Sequence, residues 1–450
     1  MKTALVFVDD TARLKNFLLD RNYRGYEILA AVVVNSTDEK ISVPDFDAVK
    51  KLRPNIPATF DAIPLQNLNR FVCKTVDAVF ILSKKDFAAT VNQLIKLGLA
   101  PRKIIHWHET EIEPLSFQLR DGTQLVCFEG LEFHVKNLRD KDFVDETFFR
   151  LTNQKKLSAA SPKDFPKVLQ ERYRSRMGRE LNLDAPKTFT EKLNWLKLHD
   201  STPLKTRLAD KFSVRDWISE KLGDKYLIPL LGVWNDFDEI NFDALPAQFV
   251  LKCNHGSGMN VVVDDKNSLD VQAARERFAA WLTTDYSATQ LELHYGAIER
   301  KILAEKFIGA AESELDDYKV HCFNGTPKFI QILGRENPAT GTRYHEILNF
   351  DGKFLEPPPF ARQNFFPSPP EGLSHLDEFK TCAEILCEVF AYVRTDFYFV
   401  DGQIFFSEMT FCHEAGYTPY DDFWTYERDL KLGTQLDLQN VRSWSLASGN

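Results

Sequence analysis

The segment Arg394-Thr395-Asp396-Phe397-Tyr398-Phe399-Val400-Asp401-Gly402-Gln403-Ile404-Phe405-Phe406-Ser407-Glu408-Met409-Thr410 constrains the fold more than any other. Two runs rich in aromatic and β-branched residues flank Asp-Gly, the dipeptide of a tight hairpin turn. Side chains alternate between the faces of a strand, so the turn length decides which residues meet across the hairpin. A two-residue turn at Asp401-Gly402 puts Asp396 and Glu408 on opposite faces. A three-residue turn with Gly402 left-handed, closing on a bulge, puts Arg394, Asp396, Glu408 and Thr410 on one face. That face would carry two carboxylates, a guanidinium and a hydroxyl. Such a set suits Mg²⁺, which takes one or two protein carboxylates and completes its shell with water and phosphate oxygens. The competing reading is a solvated hairpin face.

Upstream, Phe249-Val250-Leu251-Lys252-Cys253-Asn254-His255-Gly256-Ser257-Gly258-Met259-Asn260 reads as a strand that ends in lysine and opens into a glycine loop. Glycines let consecutive backbone N–H groups approach an anion closely, and the strand fixes the lysine beside them. A plain strand end and turn has the same signature.

A chain of 450 residues exceeds what one core usually supports, so two or three domains are expected. Lys+Arg 56 against Asp+Glu 65 gives a net charge of -9, which disfavours nucleic acid as a partner. Seven cysteines without a Cys-x-x-Cys pair point to reduced thiols in a cytoplasmic protein. Neither a signal peptide nor a membrane-spanning run is expected.

Four apolar runs, Ala4–Val8, Ile28–Val34, Ala78–Leu82 and Lys103–Trp107, alternate with helical patterns, including one over Asp86 to Leu97. They predict a parallel sheet covered on both faces, a Rossmann-like α/β domain over 1–125. Asp9-Asp10-Thr11-Ala12 stands where a dinucleotide-binding glycine loop would, so NAD is not assigned. Residues 126–185 read as a linker and helical connection, with Ser158-Ala159-Ala160-Ser161-Pro162 as the break. Residues 186–440 form the next domain and 441–450 a tail. Within it, Thr188 and Thr190 suggest a helix cap, and a second helix opens near Ala209-Asp210-Lys211 and runs to Leu222 before Gly223. A helix near 270–283, a strand at Lys301–Ile308, a hairpin at Asn324-Gly325, a proline-rich loop section, a helix near 376–391 and the final hairpin follow. His106-Trp107-His108-Glu109 lacks a third ligand for a metal, and His255 and His413 read as structural hydrogen-bonding residues.

Asp210-Lys211, Lys252 before its glycine loop, Glu305-Lys306-Phe307-Ile308 and the Asp396–Glu408 pair stand in the order of the ATP-grasp carboxylate-amine ligases. Thr188–Lys197, Leu251–Gly258 and Asp317–Gly325 resemble more narrowly the TupA-like branch, associated with teichuronopeptide and other polysaccharide biosynthesis. The resemblance covers about 165 to 440 and implies an ATP-grasp domain of two α+β subdomains clasping ATP.

It further implies that Lys211 and Lys252 contact phosphates, with the backbone of Gly256, Ser257 and Gly258 closing over them. Glu305 to Ile308 would be the adenine hinge, with Lys306 contributing its side chain. Glu312, Asp316 and Asp317 compete as the ribose acid, Asp316 being carried in the site set. Lys319 would face the phosphates from its strand, Arg394 would stabilise charge on the transferred phosphoryl or the tetrahedral oxyanion, and Asp396 and Glu408 would hold Mg²⁺ or Mn²⁺. Thr410 stands where the family usually has asparagine. The implied reaction forms an amide from a carboxylate and an amine through an acylphosphate, releasing ADP and phosphate. In a polysaccharide setting the acid would be a uronic acid, on a UDP-sugar or a lipid-linked glycan, and the amine an amino acid or amino alcohol. Alternatives are a sugar kinase and a non-catalytic nucleotide-binding module. Gly416-Tyr417-Thr418 is either part of an acceptor pocket or a surface turn.

Overall fold

The computed structural model describes 114–441 except 120–122, 310–314, 338–341, 356–365, 367–368, 419–423 and 440. Before 114 it describes 2–8, 14, 17–18, 26–33, 40–42, 59–64, 78–82, 90–91, 94–95 and 99–106. The chain divides into two compact units, Met1–Ala159 and Ala160–Asn450, and the division falls inside the Ser158–Pro162 stretch.

In the first unit, β1 (Lys2–Val8), β2 (Tyr26–Val33), β3 (Lys40–Ser42), β4 (Thr59–Pro64), β5 (Ala78–Ile81) and β6 (Ile104–His106) form one sheet in the order β3-β4-β2-β1-β5-β6. All neighbours are parallel except β3 and β4. The chain thus winds outward from β1 in one direction and then the other, the pattern of a doubly wound sheet. The four apolar runs are β1, β2, β5 and β6. The short strands β3 and β4 were not legible, because Asp61 interrupts β4 and Pro64 closes it. Leu14, Phe17 and Leu18 are helical and buried, with the Phe17 ring 4.8 Å from that of Phe80. Thr90, Val91, Leu94 and Ile95 are helical within the expected Asp86–Leu97 span. The Asp9–Ala12 turn, Trp107-His108-Glu109 and Glu312 lie outside the described residues.

An antiparallel meander of β7 (Leu115–Gln118), β8 (Gln124–Phe128) and β9 (Leu131–Val135) follows, and then α1 (Leu138–Ala159). Part of the segment read as a charged connection is therefore a hairpin and a 22-residue helix. Phe128 meets Phe148 of α1 edge-on at 5.6 Å, an apolar seam hidden by the charges around it.

The second unit opens with α2 (Phe165–Met177), α3 (Phe189–His199), α4 (Pro203–Ala209) and α5 (Val214–Lys221). The expected cap of α3 is present: Thr188 Oγ1 accepts from the Glu191 amide, and Glu191 Oε2 accepts from the Thr188 amide. The second helix does not begin at Ala209-Asp210-Lys211. The Asp210 carboxylate accepts from the Phe212 amide at 2.9 Å and the Ser213 hydroxyl at 2.6 Å, and this local turn separates α4 from α5.

Next come β10 (Leu230–Trp234), β11 (Phe249–Cys253), β12 (Asn260–Val263), α6 (Val271–Thr283), α7 (Tyr286–Gln290) and β13 (Ile302–Lys306). The strands form an antiparallel sheet, β10-β13-β11-β12. Then β14 (Asp317–Phe323), β15 (Thr326–Asn337), β16 (Thr342–Leu348), α8 (Leu376–Cys387), β17 (Tyr392–Val400), β18 (Gln403–Thr410) and α9 (Tyr426–Gln435) complete the unit. Here the sheet order is β16-β15-β14-β17-β18, antiparallel throughout. Two α+β halves are thus present. In α8, Phe379, Ala383 and Leu386 repeat at helical spacing and are buried, with Phe379 stacked 4.7 Å from Tyr318.

Asp429 of α9 fastens the start of α3. It is fully buried and accepts from the Thr190 amide at 2.9 Å and the Thr190 hydroxyl at 2.6 Å, with Arg179 Nη2 3.4 Å away. Removing one partner of a buried charged pair strands the other. Asp429→Ala is expected to lower stability by about 3 kcal/mol, read as the urea-unfolding midpoint of the full chain.

Candidate functional site

The β17–β18 hairpin joins features of both turn alternatives. Val400 pairs with Gln403, so the turn is the two-residue Asp401-Gly402, with φ 51° and 78°. Both values are left-handed, as a two-residue primed turn requires, and glycine adopts this at least cost. Pairing then runs through Phe397 and Phe406, after which Asp396 faces Glu408 and Arg394 faces Thr410. Ser407 is the residue left over. The expectation that a two-residue turn separates the acids is therefore corrected: a bulge inside the strand changes face parity as well as one at the turn.

Along β17 one face passes from Tyr392, packed in the apolar core, to Arg394 and Asp396. Asp396 is 1% exposed and accepts from Arg394 through Nε at 2.8 Å and Nη2 at 2.6 Å. Lys319 pairs opposite it on β14, its Nζ 3.0 Å from Asp396 Oδ2 and 2.6 Å from Asp317 Oδ2. Lys211 Nζ lies 2.8 Å from Glu408 Oε2, and the Thr410 hydroxyl donates to Glu408 Oε1 at 3.3 Å. Opposite charges thus alternate through Asp317, Lys319, Asp396, Arg394, Glu408 and Lys211.

Burial alone would raise the Glu408 carboxyl, but Lys211, Lys319 and Arg394 outweigh it and hold it well below the usual carboxylate range. Burial likewise lowers Lys319, yet Asp396 and Asp317 carry it above the ordinary lysine value. Asp317 is raised, burial outweighing Lys319. Arg394 Nη1 donates to His413 Nδ1 at 2.9 Å, and burial with His321 and Arg394 keeps His413 neutral. His413 has the structural role expected of it, orienting Arg394.

Strand alternation directs Lys252 away from the apolar positions Phe249, Leu251 and Cys253. Its Nζ lies 2.8 Å from Glu305 Oε2, which also sits 3.3 Å, through Oε1, from Arg215 Nη1. The loop beyond reaches φ 71° at Gly258, and its Gly256 carbonyl accepts from Lys211 Nζ at 2.9 Å. Asn254, unforeseen in the sequence, clamps this region. Its Nδ2 donates to Asp210 Oδ1 at 2.7 Å and the Glu299 carbonyl at 2.8 Å, while its carbonyl oxygens accept from the Lys211 and Lys301 amides. His255 Nε2 lies 3.0 Å from the Trp281 carbonyl, a structural contact.

These groups enclose a cavity of about 220 Å³. Lys211, Lys252, Gly256, Ser257, Gly258, Lys319, Asp396 and Glu408 line it, so eight of the expected residues are brought together. Arg394 stands behind Asp396, and Glu305 behind Lys252. Lys306, exposed at the end of β13, and Ile308 are not part of this wall. Neither is Asp316, whose carboxyl burial pushes upward; Asp317 lines the cavity instead. Arg343 of β16 and Tyr398 and Ser407 of the hairpin are unforeseen lining residues. Strand β16 was read as part of a loop section, although Thr342-Arg343-Tyr344-His345-Glu346-Ile347-Leu348 carries β-branched and aromatic residues.

A polar cavity bounded by three lysines, an arginine and two facing carboxylates suits a polyanion that arrives with a divalent cation. Among the described residues no three metal-ligating side chains cluster. The facing carboxylates of Asp396 and Glu408 are of the kind that suits a hard cation completing its shell with ligand oxygens.

The family model described as TupA-like ATPgrasp matches residues 191–437, over half of the chain. The chain belongs to the TupA-like ATP-grasp family. Among solved structures it is similar to N5-carboxyaminoimidazole synthetase from Staphylococcus aureus complexed with ADP: 9% identity, 98% of this chain and 79% of that chain covered, TM-score 0.29. It is similar to D-alanine–D-alanine ligase from Bacillus anthracis at 11% identity, with 91% and 86% covered and TM-score 0.25. For the L-amino acid ligase from Bacillus licheniformis the values are 11%, 91%, 68% and 0.26. No curated protein matches the chain.

In this TupA-like chain, His321 lies beneath the site, its Nδ1 3.0 Å from the Tyr392 hydroxyl and its Nε2 3.1 Å from Gln331 Oε1. Burial, with Arg394, pushes it from 6.5 down to about 3. It stays neutral in the fold while the unfolded chain binds a proton near 6.5, so stability is lost as pH falls below 6.5. His321→Gln removes that proton uptake. Between pH 6.5 and 4.5 the variant is expected to gain about 2 kcal/mol relative to the parent, measured by urea unfolding at each pH.

Proposed function

We propose that this chain is an ATP-dependent ligase that joins a carboxylate to an amine through an acylphosphate, with ADP and phosphate as products. The observation that carries the reading is the facing of Asp396 and Glu408 across the bulged hairpin, in a family member whose Lys211, Lys252 and Lys319 border the same cavity. Lys252 and Lys211 would bind phosphate oxygens as compact charges, with the amides of Gly256 to Gly258 closing over them. The Glu305 to Ile308 segment would present main-chain groups to the adenine edge, with Lys306 alongside. Asp317, on the wall, and Asp316, one residue before it, are the acids nearest in sequence for the ribose.

Asp396 and Glu408 would hold Mg²⁺ or Mn²⁺, which supplies charge neutralisation between phosphate oxygens. Lys319 and Arg394 lie on either side of Asp396 and would offset charge on the transferred phosphoryl group and on the tetrahedral oxyanion. The chain's work is mainly positioning and charge stabilisation, which suits phosphoryl transfer. The family's link to polysaccharide biosynthesis favours a uronic acid, free or on a UDP-sugar or lipid-linked glycan, and an amino acid or amino alcohol as the amine. No described helix is long and apolar enough to cross a membrane. A cytoplasmic site of action follows from a nucleotide substrate.

The test is ADP release from the full chain with Mg²⁺ and ATP, screening uronic acids and UDP-uronic acids against amino acids and amino alcohols, with mass spectrometry of the product. Release dependent on both acid and amine is expected, and Asp396→Asn and Glu408→Gln should each lower it by about 10²-fold or more. AMP and pyrophosphate as products would overturn the ligase reading. A phosphorylated sugar formed without any amine would replace it with a kinase.

A further inference from the structure

After the metal-facing hairpin the backbone enters a left-handed turn. Glu414 (φ 46°, ψ 35°), Ala415 (φ 51°, ψ 24°) and Gly416 (φ 73°) are left-handed in succession, and the Tyr417 amide donates to the Glu414 carbonyl at 3.0 Å. Two non-glycine residues in that region are strained by roughly 1–2 kcal/mol each, and such strain persists only where neighbours over-determine it. Here α3 supplies the neighbours. Asn194 Nδ2 donates to the Gly416 carbonyl at 2.8 Å, and Lys197 Nζ sits 4.2 Å from the centre of the Tyr417 ring.

Lys197 also ties the turn to the end of α7, donating to the Gln290 carbonyl at 2.9 Å. Glu292 stands two residues on. It is 5% exposed, and among the described residues no donor reaches its carboxylate. Among the described residues the buried Tyr417 hydroxyl, Thr418 hydroxyl and Gln290 Oε1 have no hydrogen-bond partner either. Buried polar atoms are almost always hydrogen-bonded, so this group offers open donors and acceptors to a polar occupant.

The charges around Glu292 give the sign of that ligand. Burial pushes its carboxyl up to about 7, Lys197 and Arg394 oppose the shift, and Glu408 and Glu414 reinforce it. Tyr295, raised by burial with Glu292 next in order, adds no cation. An acid left under-compensated in this way is relieved more by a positively charged ligand than by a neutral one.

We propose that Glu292 is the specificity-determining residue of an acceptor subsite, bounded by Lys197 and the Glu414–Gly416 turn, that receives a primary ammonium. Glu292 lies within electrostatic reach of Glu408. The subsite's identity as the acceptor site rests on the ligase reading; its binding of an ammonium does not.

The full chain with Mg²⁺ and a non-hydrolysable ATP analogue is titrated calorimetrically with matched probes: 2-aminoethanol against 1,2-ethanediol, and L-alanine against L-lactate. Each pair differs by an ammonium for a hydroxyl. The wild type is expected to bind at least one ammonium probe 10-fold or more tightly than its partner. Glu292→Gln, close in shape to the partly protonated acid, should lose that preference by 10-fold or more, and Glu292→Asp should keep part of it. In turnover, Glu292→Gln should lower ADP release driven by these amines at least 10-fold relative to release driven by hydroxylamine, which carries no cation at neutral pH. The proposal is overturned if the wild type shows no ammonium preference, or if Glu292→Gln retains it. It is equally overturned if both nucleophiles lose rate together. Failure to form any hydroxamate from ATP and a uronic acid, with ammonium binding intact, counts against the ligase reading and not against the subsite.

Discussion

The site depends on one buried carboxylate. Asp396 is 1% exposed, and an ionised group so deep is tolerated only with paired charges and satisfied hydrogen bonds. Arg394, two residues earlier on the same face, supplies a bidentate clamp, and Lys319 supplies the third contact from the neighbouring strand. The central place of β17 between β14 and β18 gives Asp396 Lys319 on one side and Glu408 on the other. The two acids differ in a useful way. Asp396 is locked by three cationic contacts, whereas Glu408 is half-buried, and its short ion pair is the single one from Lys211. A cation entering the cavity meets one fixed carboxylate and one whose partner can be exchanged.

Much of this was legible in the sequence because it follows from periodicity. Alternation along Phe249–Cys253 turned Lys252 away from the core, the Thr188–Glu191 box began α3, and the apolar runs of the first unit became neighbouring parallel strands. The same-face grouping of Arg394, Asp396, Glu408 and Thr410 was visible as one of two alternatives. What decided between them was not visible. Ser407 has no turn signature, and the bulge stands beside the Phe397–Phe406 pair, whose ring contact is a tertiary fact. Asn254 and Arg343 escaped for a similar reason, since their partners are backbone carbonyls distant in sequence or carboxylates fixed by another turn. Helix α1 was hidden by composition: its apolar stripe is thin and its charges are many.

Both faces of β17 enter apolar cores. Val393, Phe397 and Phe399 enter the core that includes α8, while Tyr392 enters a second core with Phe189 of α3. Close-packed apolar groups on both sides leave the strand little freedom, so Arg394 and Asp396 inherit a fixed backbone. His413 extends the effect. It lies 6.5 Å from Phe189, ring to ring, and receives a hydrogen bond from Arg394, so the core orients the guanidinium as well as the strand.

The opposite wall is held by hydrogen bonds instead. Asn254 joins the glycine loop, the Asp210 turn and the segment leading into β13, so that Lys211 and Lys252 are referred to one clamp. A buried amide with every bond made fixes geometry more sharply than apolar contact, because each bond is directional. Lys211 then crosses the cavity to Glu408 while also binding the Gly256 carbonyl. It contacts both the loop wall and the acid wall. The spacing of the two walls is therefore set in part by a flexible four-carbon stem, and a ligand that takes over its Nζ can alter that spacing without disturbing either the apolar core behind Asp396 or the clamp at Asn254.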